Sequence, residues 1–124
     1  MTKLFAPKEY WSMPKKTIDK ITGGCGPSGT GDMIVPDTIY GLSVKSACRI
    51  HDFMYYFGEN LEDKDRADRV FLNNMIRLIK NGSKFFILRK LRLLRALTYY
   101  RAVKYFGGAA FWAGKNPTDE EGDV

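Results

Sequence analysis

Residues 43–57 read Ser43-Val44-Lys45-Ser46-Ala47-Cys48-Arg49-Ile50-His51-Asp52-Phe53-Met54-Tyr55-Tyr56-Phe57. Val44, Ala47, Cys48, Ile50, His51, Met54 and Tyr55 fall at the spacing of one helix face. Ser43 can cap the start, and Gly58 marks the end. The spacing predicts a helix over 43–57 with His51, the chain's one histidine, on its packing side and Asp52 directly after it. Neighbours in sequence point about a quarter-turn apart on a helix. His51 and Asp52 can therefore share a cleft without bonding each other. A bare His-Asp pair is more often a partly buried imidazole beside a solvated carboxylate than a site, so the surrounding residues decide.

A second helix is expected over residues 61–80, stopped by Asn81-Gly82-Ser83. Asp63 and Asp65 lie near its positive N-terminus. Phe71, Leu72, Met75, Leu78 and Ile79 form its apolar stripe. Asp68 lies three, four and seven residues before Phe71, Leu72 and Met75, so it belongs to that stripe. A buried carboxylate is costly unless paired. His51 is a natural partner: Asp68 accepting from one ring nitrogen would fix the tautomer and leave the other nitrogen as a base. Two alternatives stay open, a carboxylate reaching out at the stripe's edge or one paired with a basic residue such as Arg49. Asp65, one turn earlier and nearer solvent, is a rival partner.

A third helix is expected over residues 84–106, ended by Gly107-Gly108. Ile87, Leu91, Leu94 and Tyr105 share a cation-free stripe. Upstream, Tyr10, Trp11 and Met13 beside Pro7 and Pro14 suit a short helix or turn, and Asp19 and Lys20 a second short helix ending at Gly23-Gly24. Residues 23–31, GGCGPSGTG, read as a loop, and residues 32–41 show no strand pattern of any length. The fold class is mainly α, with a long glycine-rich loop between the N-terminal helices and the central pair. Residues 1–116 form one domain, and residues 117–124 (with Asp119, Glu120, Glu121 and Asp123) an acidic tail expected to be disordered.

The chain of 124 residues carries a net charge of +6, which favours an anionic partner, nucleic acid or lipid surface. Arg89, Lys90, Arg92, Arg95, Arg101 and Lys104 exclude an ordinary membrane span over the most apolar segment, residues 85–106. Lys8, Lys15 and Lys16 interrupt any leader-type apolar run near the start. Cys25 and Cys48 allow one disulfide or two reduced thiols. Asp37 stands in an irregular loop between Pro36 and Thr38. Together with loop carbonyls and Asp52 it offers the hard oxygens that calcium prefers, with Asp32 as an additional or competing ligand. The plainer reading of Asp37 is an Asx-turn after proline. There is no EF-hand run, one histidine and two cysteines fit zinc poorly, and GGCGPSGTG lacks the Gly-Lys-Ser/Thr ending of a phosphate-binding loop.

Four segments in order resemble the secreted phospholipases A2, particularly the small prokaryotic and fungal type. They are Pro36-Asp37-Thr38-Ile39-Tyr40-Gly41-Leu42; the C-x-x-H-D-x-x-Y run from Cys48 to Tyr55; Asp68-Arg69-Val70-Phe71 leading to Met75; and Tyr99-Tyr100-Arg101-Ala102-Val103-Lys104-Tyr105-Phe106-Gly107. Residues 47–53 also look like the phospholipase domain of parvoviral capsid proteins. The resemblance spans roughly residues 24–107. It implies two packed antiparallel helices carrying the active site, a glycine-rich calcium loop and further helices.

By position, the resemblance implies His51 as general base and Asp68 as the residue orienting it. It implies Asp52, Asp37 and the Thr38 carbonyl as Ca2+ ligands, and a Cys25–Cys48 disulfide tying the loop to the catalytic helix. Tyr55 matches the tyrosine one turn after the His-Asp pair. The family's second disulfide has no counterpart near Leu78 and Ile79, and the loop over residues 26–35 is longer than usual.

The implied activity is calcium-dependent hydrolysis of the sn-2 ester of phospholipids by a His-activated water, with no covalent acyl-enzyme. The implied partner is a phospholipid membrane surface, anionic by the chain's charge. Tyr55, Arg89, Lys90, Arg92 and Trp112 are grouped at the substrate and interface, with Lys15, Lys16 and Arg95 as further cations and Trp11 or Phe111 as further anchors. Nucleic acid is not expected, since Asp37, Asp52 and Asp68 would repel phosphate at the cleft without a metal. A monomer, secreted or virion-associated rather than cytoplasmic, is expected. The alternative is a non-catalytic basic module on the same scaffold, binding membranes or nucleic acid.

Overall fold

The computed structural model describes residues 2–22 and 35–112. It is mainly helical. Among the described residues the order is α1 (Lys8–Ser12), α2 (Lys15–Ile21), β1 (Thr38–Ile39), β2 (Leu42–Ser43), α3 (Lys45–Phe57), α4 (Leu61–Gly82), α5 (Phe86–Phe106) and α6 (Gly108–Trp112). The glycine-rich loop, Cys25, Asp32 and the acidic tail lie outside the described residues.

The three long helices begin and end close to where their periodicity places them. Asn60 caps α4 by accepting from the Asp63 N–H at 2.9 Å, while the Asp63 carboxylate accepts from the Glu59 N–H at 2.9 Å. These reciprocal bonds satisfy donors that a helix start leaves open. Ser43 is not the cap of α3, because Val44 holds that position. Ser43 belongs instead to a two-residue antiparallel hairpin, Thr38 opposite Ser43 and Ile39 opposite Leu42. Tyr40 and Gly41 turn it with φ of 47° and 83°, the left-handed pair that a two-residue hairpin needs. Two residues per strand are too few to show alternation, so the sequence pattern hides this element. The chain also continues after Gly107 into the short α6, which buries Ala110 and Phe111.

Helix α4 packs against α3 on one side and α5 on the other. Near its start Lys64 donates to the carbonyls of Val103 and Lys104, near the end of α5. At its far end Gly82 and Ser83 accept from Arg92, near the start of α5. The two helices therefore run antiparallel. The buried face of α4 is Ala67, Asp68, Phe71, Asn74, Met75 and Ile79, joined by Lys64. Asn74 is fully buried and ties the N-terminal segment to this face: its side chain accepts from the Phe5 N–H at 2.7 Å and donates to the Phe5 carbonyl at 2.8 Å.

Helix α5 is arranged differently. It buries Arg92, Ala96, Tyr99 and Val103. The row of Ile87, Leu91 and Leu94 faces outward, and exposed Arg101 stands between it and Tyr105 on the same helix face. Arg92 is inward because its guanidinium has four acceptors there: the Ile39 carbonyl at 3.2 Å, the Tyr40 carbonyl at 2.7 Å, the Gly82 carbonyl at 3.3 Å and Ser83 Oγ at 2.9 Å. Loop carbonyls folded against a helix need donors, and one arginine fork supplies several.

Candidate active site

His51 and Asp68 meet across the α3–α4 interface. His51 Nε2 lies 2.8 Å from Asp68 Oδ1, with both residues almost wholly buried, 3% and 1% exposed. Asp68 neither reaches solvent nor pairs with Arg49, which bonds Asp19 on α2 instead. Asp65, the rival, is exposed. The His51 ring is packed between Tyr55 and Phe71, with centroids 4.1 Å and 4.6 Å away. These two tilted ring contacts crowd the imidazole, and the hydrogen bond to Asp68 fixes its orientation.

Two further groups hold the carboxylate. The Tyr55 hydroxyl donates to Oδ1 at 2.6 Å, and Lys64 Nζ to Oδ2 at 2.9 Å. Tyr55 is thus buried behind the dyad rather than placed at a lipid interface, and its ring packs edge-on against Phe111 at 5.2 Å. Gly107 lets the tyrosine sit there, since a Cβ at 107 would stand 2.6 Å from the hydroxyl oxygen. Lys64 is the site residue that sequence reasoning missed. Its ammonium is buried and donates three bonds, to Asp68 and to the Val103 and Lys104 carbonyls at 3.0 and 3.2 Å. All three of its N–H groups are used. The available signal was its place four residues before Asp68, one turn along the same face.

These bonds set the charge state. Burial alone would raise the Asp68 carboxyl, but the hydrogen bonds from His51, Tyr55 and Lys64 outweigh it and hold the carboxyl below its ordinary range. Burial, then the Asp68 charge beside it, pushes the Tyr55 phenol well above its ordinary value, so it stays a donor. An ionised Asp68 can only accept. Neutral His51 therefore carries its proton on Nε2, and Nδ1 is left with the basic lone pair.

The oxygen donors expected to hold a hard cation lie on α3 and at the 37–38 segment. Asp52 follows His51 on α3 and is half-buried. Asp37, also half-buried, precedes β1, where its carbonyl accepts from the Val44 N–H at 2.8 Å. The Thr38 carbonyl accepts from the Tyr99 hydroxyl at 2.9 Å, and its second lone pair remains for another partner. Two carboxylates and loop carbonyls are the donor types that calcium takes. Among the described residues no group of three or more His, Cys, Asp or Glu side chains gathers as a metal cluster.

The residues expected at the interface separate into two sets. Arg89 and Lys90 are exposed on α5, and Trp112 is half-buried beside Phe111. Arg92, by contrast, is buried and clamps the 39–40 turn, and Phe111 is fully buried core, so neither is available to a lipid surface. Cys48 is buried on α3 one turn before His51, while its expected partner Cys25 lies outside the described residues. A cavity of about 350 Å³ opens among Pro7, Met13, Phe53, Met54, Phe57 and Gly58; neither His51 nor Asp68 lines it. Comparison with protein families, with curated proteins and with solved structures finds no match.

Proposed function

We propose that this chain is a calcium-dependent phospholipase A2, with the fold of that family, cleaving the sn-2 ester of phospholipids. The observation that carries the reading is the buried 2.8 Å contact between His51 and an Asp68 kept ionised by Tyr55 and Lys64. The four-segment resemblance supports it. In this reading His51 Nδ1 takes a proton from water as the water oxygen attacks the ester carbonyl. The imidazolium is stabilised by Asp68, while Lys64 discourages transfer of the Nε2 proton to the carboxylate. His51 then returns its proton to the departing glycerol oxygen as the ester C–O bond breaks, giving a lysophospholipid and a fatty acid. Asp37, Asp52 and the Thr38 carbonyl would hold Ca2+, which supplies charge that polarises the carbonyl and stabilises the oxyanion.

Fatty-acid release from mixed phospholipid vesicles, in excess calcium and in excess EGTA, tests this. Release should require calcium and vanish in His51→Ala. Calcium-independent release, or release that survives His51→Ala, overturns it.

A second reading, a non-catalytic membrane binder on the same scaffold, is favoured by the outward apolar stripe of α5. It predicts vesicle binding with no release under any condition.

A further inference from the structure

The sequence of α5 contains six cations and no acid. Five of the cations, Arg89, Lys90, Arg95, Arg101 and Lys104, are exposed. The stripe between them is exposed too: Ile87 67%, Leu91 45%, Leu94 55% and Tyr105 68%. Phe85 and Phe86, at 70% and 75%, extend it past the helix start. The helix is only weakly amphipathic: its buried face holds Arg92 and Tyr99 beside Ala96 and Val103, while the row of Ile87, Leu91 and Leu94 is turned to solvent, with Arg101 further along the same row. A contiguous apolar patch rimmed by charge marks an interaction surface.

We propose that this outer face of α5 docks on an anionic phospholipid bilayer, lying in the headgroup plane with Ile87, Leu91 and Leu94 entering the acyl boundary. Charge selects this occupant. Flanking cations with no acid among them match a negative lipid surface, whereas a second copy would set like charges against like. Among the described residues no helix is long and apolar enough to cross a membrane, so α5 lies on the surface.

The docked face is continuous with the candidate calcium loop. Arg95 donates to the Tyr40 hydroxyl at 2.9 Å and lies 5.2 Å from that ring's centre, and Arg92 holds the Tyr40 carbonyl. Tyr40 is itself half exposed. Docking through α5 would thus bring the Asp37–Thr38 segment towards the lipid. The inference rests on the phospholipid reading above for its choice of partner, but not on hydrolysis.

The test is co-sedimentation in excess EGTA with vesicles of equal parts phosphatidylglycerol and phosphatidylcholine, and with phosphatidylcholine alone. The wild type should bind the anionic vesicles and largely ignore the neutral ones. Leu91→Glu with Leu94→Glu should lower binding at least about tenfold, with an unchanged thermal midpoint because both side chains are already exposed. Trp11→Ser, an exposed aromatic on α1, should stay within about twofold of wild type. Lys90→Gln with Arg101→Gln should weaken anionic binding and flatten its salt dependence. Wild-type binding by the α5 double variant overturns the proposal. So does a wild-type dimer that this variant dissolves without any change in vesicle binding, which would make a second copy the occupant.

Hydrolysis of a dispersed short-chain phospholipid in calcium separates the two readings. The α5 variant should keep that activity. If the wild type lacks it yet docks through α5, the catalytic reading fails and the docking face stands.

Discussion

Helices α4 and α5 are nearly equal in length, 22 and 21 residues, and lie side by side, yet they use their side chains in opposite ways. Helix α4 follows the ordinary rule. It turns Phe71, Met75 and Ile79 inward and adds two charges, Lys64 and Asp68, that neutralise each other within the core. Helix α5 turns an arginine and a tyrosine inward and leaves Ile87, Leu91 and Leu94 outside. The difference lies in what each helix packs against. The inner face of α4 meets side chains of α3. That of α5 also meets the backbone of the 38–40 segment, whose carbonyls need donors that Arg92 and Tyr99 provide. Apolar surface left over on α5 is then exposed.

The contrast can be broken most severely at Lys64, where the two helices join. Lys64→Met removes a donor from Asp68 and from two α5 carbonyls, and breaking a buried pair costs about 3–5 kcal/mol. Urea unfolding should show a fall of that size; a loss well under 1 kcal/mol would mean that the pair is solvated.

Matched truncations come next. Met75→Ala on α4 should cost about 2–5 kcal/mol, the ordinary cost of a core cavity. Leu94→Ala on α5 should stay within about 0.5 kcal/mol, since little buried surface is lost. Equal losses at the two positions would show that the α5 stripe is covered.

The smallest effect is a slope. Because the Asp68 carboxyl is held below its ordinary value, about 3.9 for a free aspartate, its contribution is complete above that pH and is lost as pH falls through its folded value. Stability of the wild type should therefore drop below about pH 4. Asp68→Asn, though less stable at neutral pH, should show a shallower acid decline. Parallel declines would show that Asp68 is not the group responsible.

Much of the site was legible because its residues lie on regular helices. The place of Asp68 relative to Phe71, Leu72 and Met75 points it inward and His51 is its natural partner, but only the packing of α3 against α4 excludes the stripe's edge, Arg49 and Asp65. Lys64 was not seen as part of the network, although it lies one turn from Asp68, because a lysine near a helix start usually belongs to solvent. Tyr55, matched by its position in the resemblance, and Arg92, by its charge, are grouped in the sequence with the substrate and interface. Their burial depends on acceptors brought from elsewhere in the chain, the Asp68 carboxylate and the 39–40 carbonyls, which no local pattern announces. The outward face of α5 has the same origin. Its apolar row is visible in the sequence, but the direction it faces is set by hydrogen bonding across the fold. The hairpin at Thr38–Ile39 and Leu42–Ser43 was missed because its strands are shorter than any alternation they could display.

In the proposed reaction His51, aimed by Asp68, activates water against one ester of a phospholipid. Its most direct test uses phospholipid labelled separately in the sn-1 and sn-2 chains, with calcium present, comparing wild type with His51→Asn. Label should leave only the sn-2 position, and the variant should release none. Release from the sn-1 chain, or equal release by the variant, would contradict it.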